Sequence, residues 1–278
     1  MLDYLAFQTD RNEADTVATY DEISLWSSMF ASVLLCHIPM RKHIRVLDMG
    51  CGAGFPLLEL AQRLGSTCTV YGIDPWRAAL KRLWFKRGMW NIQNAYVVEG
   101  SAEAMPFPDW NFDLIVSNLG VNNFDNPRAA LAECGRVARP GARLALTTNL
   151  QGHMAEFYRV FESILQDLGD AKALEALEKH VHHRLTVERV TEFLLHSGFR
   201  LVKVHEEPAS MRFVDGSALL RHYFIKLGFL DAWKEVVVDR AQAAVFTRLE
   251  AGLNRLAEER GELSLTIPMA YIEAERVL

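Results

Sequence analysis

Arg45-Val46-Leu47-Asp48-Met49-Gly50-Cys51-Gly52-Ala53-Gly54-Phe55-Pro56 decides how this chain is read. An aliphatic run carries one acid and then opens into glycines at alternate positions. Leu57, Leu58, Leu60, Ala61 and Leu64 follow at helical spacing. The pattern predicts a buried strand, a sharp turn and a helix. Glycine lets the backbone turn and lets a ligand approach main chain without meeting a Cβ. Pro56 fits a first helical turn, where its missing N–H has no partner to lose. A helix starting there favours an anionic group such as a carboxylate or phosphate. The spacing is not the dinucleotide fingerprint, whose third glycine would fall where Phe55 stands.

Downstream, Thr69-Val70-Tyr71-Gly72-Ile73-Asp74 reads as a second strand ending in a carboxylate. An acid there can hydrogen-bond ribose hydroxyls. It can equally cap the helix that starts at Pro75. The distance from the glycine turn favours ribose. At this point the chain resembles the class I S-adenosylmethionine-dependent methyltransferases. The resemblance continues through Gly100-Ser101-Ala102-Glu103-Ala104-Met105-Pro106, through Asn111-Phe112-Asp113-Leu114-Ile115-Val116-Ser117-Asn118, and through Arg136-Val137-Ala138-Arg139-Pro140-Gly141. It covers residues 44 to 149. Within the class it is similar to the branch holding the ubiquinone and menaquinone C-methyltransferases and their small-molecule relatives.

That resemblance implies an α/β fold, a Rossmann-like seven-stranded sheet with helices on both faces and a helical cap insertion. It implies S-adenosylmethionine as cofactor, S-adenosylhomocysteine as product, and a small, apolar or aromatic acceptor. Asp48, Gly50, Cys51, Gly52 and Gly54 would hold the methionine part. Asp74, Pro75 and Trp76 would meet ribose and adenine, with a helix-anchoring core tryptophan as the other reading of Trp76. Ser101, Ala102 and Glu103 would address the adenine, although the branch usually has aspartate where Ser101 stands. Asn118 and Leu119 would offer main chain to the methionine amino group. Tyr20, Asn122 and His153 are the candidates for orienting or deprotonating the acceptor. For His153 the competing reading is a surface histidine at a helix start. Relatives often carry histidine where Asn122 or Asn123 stands, so no decisive base is evident. The alternative function is therefore a non-catalytic cofactor-binding or scaffold protein with the same fold.

Organisation follows from periodicity. Residues 1–40 form an N-terminal helical lid segment, with Ser24 capping a helix through Leu25, Trp26, Met29, Phe30, Val33 and Leu34. Residues 41–207 alternate strand and helix as the cofactor-binding core. Residues 208–262 read as helices, the cap insertion, with Met211, Arg212, Phe213, His222 and Tyr223 as candidate pocket lining. Residues 263–278 return as the closing strand. The helix after Pro75 carries Arg77, Lys81, Arg82, Lys86 and Arg87, for which a solvated face and an acidic partner both remain open.

Composition narrows the function classes. The 278 residues are half apolar and carry a net charge of −5, which argues against a sequence-independent grip on nucleic acid. Cys36, Cys51, Cys68 and Cys134 have no paired metal spacing, and adjacent His182 and His183 diverge on a helix, so no metal is expected. No secretory leader and no apolar run long enough to span a bilayer stand out. A cytoplasmic transferase without a membrane span is expected, and a monomer and a homodimer both fit.

Overall fold

The computed structural model describes residues 2–22 and 25–277. Ser24, the expected cap of the second helix, lies outside the described residues.

The chain divides into two compact units. The α/β unit comprises Asp10–Asn149, Thr186–Glu206 and Met269–Leu278. It opens with α1 (Ala14–Glu22) and α2 (Leu25–His37), then alternates β1 (Arg45–Met49), α3 (Leu57–Leu64), β2 (Thr69–Asp74), α4 (Arg77–Met89) and β3 (Ala95–Glu99). It continues through β4 (Phe112–Asn118), α5 (Pro127–Val137) and β5 (Ala138–Asn149). The strand expected at 69–74 is present. Seven strands form one sheet in the order β3-β2-β1-β4-β5-β7-β6, with α8 (Val187–His196) leading into β6 (Phe199–Phe213) and β7 (Leu263–Arg276) closing the chain. The first five strands pair in parallel. β7 runs antiparallel to β5, with Tyr271 opposite Thr147.

The sequence dictates these elements locally. Val46, Leu47, Val70, Leu114, Ile115 and Val116 are buried to 0% exposure, the uniformly apolar pattern of strands covered on both faces. Asn126 caps α5 by accepting from the Ala129 N–H at 3.1 Å, with Pro127 following at the first helical position. Thr186 caps α8 through the Arg189 N–H as expected, and Gly198 beyond its end takes a left-handed φ of 78°. Gly135 lets α5 approach α8, because a Cβ there would stand 2.1 Å from the Ser197 carbonyl oxygen.

The helical unit comprises Met1–Thr9, Leu150–Leu185 and Glu207–Pro268. It holds α6 (Ala155–Asp167), α7 (Ala171–His182) and α9 (Gly216–Arg221). A short α10 (Tyr223–Ile225) winds through a wider turn at Lys226–Leu230 into α11 (Asp231–Glu235), and α12 (Asp239–Arg260) follows. Its core is aromatic: Phe157 stacks on Trp233 at 3.9 Å, and Phe246 lies between Phe161 and Tyr4. Two differences from the sequence reading stand out. Residues 208–213, expected to be helical, extend β6, so Met211, Arg212 and Phe213 are strand residues. Residues 150–185, expected to belong to the core, instead pack with the helices of 207–268. Long-range packing of α6 on α12 decides that membership, and sequence spacing does not report it.

Candidate active site

The strand order reverses at β1, where β2 lies on one side and β4 on the other. In open α/β sheets ligands bind beyond the carboxyl ends of the strands at such a point. Three sequence-selected segments end there side by side, with Asp48 in register between Gly72 and Val116.

The glycine turn is built as its residue types require. Gly50, Gly52 and Gly54 have φ of 80°, 48° and 104°, values that L side chains rarely adopt. The Gly50 and Cys51 N–H groups donate to the Ile73 carbonyl at 2.9 and 3.2 Å, tying the turn to β2. A Cβ on Gly54 would stand 2.8 Å from Leu83, whereas a Cβ on Gly52 would meet nothing within 4 Å. Gly54 therefore serves packing, and Gly52 opens onto free space. Beside that space Asp74 accepts from the Gly52 N–H through Oδ2 and from the Trp76 N–H through Oδ1, each at 2.8 Å. The cap of α4 is Trp76, without a side-chain cap bond, so Asp74 ties the turn ahead of the helix and its carboxylate keeps lone pairs for further donors. Burial raises its pKa, and the two N–H groups oppose that rise. Pro75 is exposed beside it.

Asp48 is fully buried, and neither carboxylate oxygen has a hydrogen-bond partner within 3.5 Å. Burial, reinforced by the negative charge of Asp74 and eased only by the Leu57 N–H, pushes its pKa up to about 8. Cys51, also buried, has its thiol pKa pushed up by burial and by the same two acids. Two glycines absent from the sequence reading complete the turn. A Cβ on Gly72 would stand 2.2 Å from Leu57, and one on Gly120 would stand 2.4 Å from Ser117 Oγ. A glycine inside a strand pattern was the available signal for Gly72.

α1 lies at this turn. Val17 packs with Ala53 and Ala79, and Trp76 joins the cluster. The Tyr20 ring meets Trp76 edge-on at 5.5 Å, while Trp76 Nε1 donates to the Arg11 carbonyl at 3.1 Å. Trp76 is thus partly buried against the N-terminal segment and the cluster it forms with Ala53 and Ala79. Burial raises the Tyr20 pKa, Arg11 opposes the rise and Asp74 adds to it. The basic face of α4 finds its acid within the chain, as Asp21 accepts from Arg82 at 3.0 Å and from Lys86 at 2.5 Å.

The remaining candidates are fixed by neighbours. Ser101 Oγ donates to the Glu103 carboxylate and accepts from the Glu103 N–H, so the hydroxyl serves the loop first. Ala102 is buried beside it. Asn118 Nδ2 donates to the Ser27 carbonyl at 3.0 Å and its Oδ1 accepts from Thr147 at 2.7 Å. Leu119 takes a left-handed φ of 65°, strained for a leucine, and its carbonyl accepts from Asn123 Nδ2. Asn122 Nδ2 donates to Thr148 Oγ1 and to Asn149, which anchors the loop to the end of β5. As an amide it offers no basic nitrogen.

His153 belongs to the helical unit and is 2% exposed, so the surface reading fails. Burial first, then the Arg184 charge, holds its pKa well below the ordinary value and the ring neutral. Nearby, Tyr158 hydrogen-bonds His180 at 3.0 Å and accepts from Trp233 Nε1 at 3.2 Å.

Comparison with known proteins bears on this arrangement. Residues 47–146 match the methyltransferase domain family. The chain is 28% identical over 174 residues to a demethylmenaquinone methyltransferase of Anoxybacillus flavithermus, covering 59% of this chain and 73% of that one. It is 31% identical to the chloroplastic 2-phytyl-1,4-beta-naphthoquinone methyltransferase of Arabidopsis thaliana, covering 55% of this chain and 63% of that one. The fold superposes on the YcgJ protein of Bacillus subtilis with a TM-score of 0.57 at 16% identity, over 90% of this chain and 99% of that one. Over residues 47–146 the chain is similar to the class I S-adenosylmethionine-dependent methyltransferases. It is also 33% identical over 135 residues to the ubiquinone/menaquinone biosynthesis C-methyltransferase of Psychromonas ingrahamii, covering 47% of this chain and 54% of that one.

The residues fit the cofactor on three observations. Gly52 leaves open space beside main chain, Asp74 reaches the same space, and Asp48 is a buried acid lacking a close donor.

Proposed function

We propose that the protein transfers the methyl group of S-adenosylmethionine to a small quinone-type or related aromatic metabolite. The observation that carries the reading is the Gly52–Asp74 pairing, which joins the glycine turn to an acid at the end of β2 and leaves open space in front of it. The acceptor class is supported by the relatives, whose names place naphthoquinones and menaquinone precursors as their substrates.

The reaction is an in-line displacement at a sulfonium: the S–CH3 bond breaks, the acceptor gains the methyl and loses a proton, and S-adenosylhomocysteine leaves. With so good a leaving group, alignment supplies much of the catalysis. In this reading Gly50 and Gly52 place main chain against the methionine part. Asp48 orders the turn, Asp74 binds ribose, and the Ser101–Glu103 loop meets the adenine. Asn118 and Leu119 present main chain to the amino group, in a geometry fixed by Ser27 and Asn123. Tyr20, through its ring against Trp76, orients the bound molecules. A proton-accepting role for His153 would have to operate from its depressed pKa. Cytoplasmic residence is part of the proposal, consistent with four free cysteines and with no described helix long and apolar enough to cross a membrane.

Calorimetric titration with S-adenosylmethionine and S-adenosylhomocysteine tests the cofactor, and turnover of short-chain naphthohydroquinones tests the acceptor. Micromolar binding of both with methyl transfer is expected. Failure of folded protein to bind either would overturn the reading. Binding without turnover on any acceptor would return the scaffold alternative.

A further inference from the structure

A run of large exposed apolar side chains in the α/β unit lies on α4 and just beyond it. Trp84, Phe85, Met89 and Trp90 are 44, 58, 69 and 52% exposed, and Tyr96 of the neighbouring β3 is 46% exposed. Apolar residues scattered singly on a surface need no explanation, but a run of large ones marks an interaction site. The inner face of the same helix is satisfied, with Ala79, Leu80 and Leu83 buried. The outer face therefore does not serve the core.

Cations are interleaved with these rings. Arg87 stands 5.1 Å over Trp84 and 6.0 Å over Tyr96, Lys86 stands 5.7 Å over Trp90, and Arg82 stands 5.7 Å over Phe85. Between Arg77 and Met89 the helix has five Lys or Arg and no acid, in a chain whose net charge is −5. Two acids reach it from outside, Asp21 on Arg82 and Lys86, and Glu99 at 3.6 Å from Arg77. Lys81, exposed one turn before Trp84 and Phe85, makes no ion pair with a described residue.

We propose that α4, with Trp90 and Tyr96, seats the protein on an anionic lipid bilayer. Tryptophan and tyrosine favour the zone between headgroup and acyl chain, and Lys81 and Arg87 beside them meet lipid phosphates, while Arg82 and Lys86 stay paired with Asp21. A bilayer accepts a row of rings without the matched shape that a protein partner needs. The surface also suits the proposed acceptor class, because a relative acts on a naphthoquinone that carries a phytyl chain, an apolar tail that resides in lipid.

The test is co-sedimentation of the full chain with vesicles of phosphatidylglycerol and phosphatidylcholine, against phosphatidylcholine alone. Partition onto the anionic vesicles, weakened by high salt, is expected. The variant W84S/F85S should lose roughly tenfold or more in partition. K81E should lose roughly tenfold. Both should keep S-adenosylhomocysteine binding and turnover of a detergent-soluble acceptor, which separates failure of lipid docking from failure of the methyltransferase reading. Should W84S/F85S not fold, quenching of tryptophan fluorescence by brominated phosphatidylglycerol carries the test, with W84F/W90F expected to abolish it. Wild-type protein that stays in the supernatant, or variants that partition like wild type, would overturn the proposal. So would a dimer seen by light scattering that W84S/F85S disrupts while vesicles bind neither protein.

Discussion

Two acids of the same site differ because their surroundings differ. Asp74 accepts from two backbone N–H groups, whereas Asp48 is buried without a close donor. Removing the Asp74 carboxylate withdraws the group proposed for ribose, where charge-assisted hydrogen bonds are worth about 1.5–3 kcal/mol each. Asp74→Ala should therefore weaken S-adenosylhomocysteine binding by roughly tenfold or more in calorimetry, and unchanged affinity in a folded variant would end the ribose assignment. Asp48 affects stability through its proton. In the unfolded chain it ionises near about 3.9, and in the folded chain near 8. Between those values the folded chain holds a proton that the unfolded chain has lost, so stability falls as pH rises across that window and levels off above it. Asp48→Asn cannot titrate, so its melting temperature should gain on the wild type by several degrees between about pH 5 and about pH 8.5. Parallel melting curves across that range would show that Asp48 ionises normally.

At the scale of elements, α1 is held on α4 by a charge cluster and an apolar cluster. Asp21, Arg82 and Lys86 have side chains 11, 28 and 12% exposed, so solvent screens them less than an open surface pair. Removing Asp21 leaves two partly buried cations without their acid. Asp21→Ala should speed S-adenosylhomocysteine release by roughly fivefold, the equivalent of about 1 kcal/mol. Stopped-flow dissociation would measure this, and an Asp21→Lys, Lys86→Asp swap should restore part of the loss. A release rate unaffected by Asp21→Ala would mean that α1 does not hold the ligand. This cluster also marks where sequence reading stops. The strand–turn–helix at Arg45–Pro56 was legible because its acid, glycines and apolar face are neighbours along the chain. The pairing of α4 with Asp21 spans 61 and 65 positions, and only the folded chain can choose it over a solvated face. His153 shows the same limit: its position after β5 was legible, but its burial depends on Phe229 and Arg184, which lie far along the chain.

For the whole molecule, the chain passes between the two units five times, at 9/10, 149/150, 185/186, 206/207 and 268/269. Two of those crossings fall inside strands β6 and β7, so neither unit can unfold without fraying a strand that it shares. The helices of 216–260 were legible as an insertion between the last two strands, yet nothing in their periodicity announces that 150–185 folds with them. Such wiring predicts one cooperative transition. A ligand that binds only the folded α/β unit stabilises by RT ln(1 + [L]/Kd), about 2.7 kcal/mol at a hundredfold excess over Kd. For a chain of this size that corresponds to a rise of roughly 5–10 °C in melting temperature. Trp233, buried in the helical unit against Phe157, is that unit's tryptophan, so with the other five replaced by Phe it reports the unit by fluorescence while calorimetry reports the whole chain. Both should move together with S-adenosylhomocysteine, and at the same ligand concentration Asp74→Ala should cut both shifts by about half or more. A Trp233 transition that stays fixed while the calorimetric peak rises would mean that the helical unit melts on its own, and that the shared strands do not couple the two.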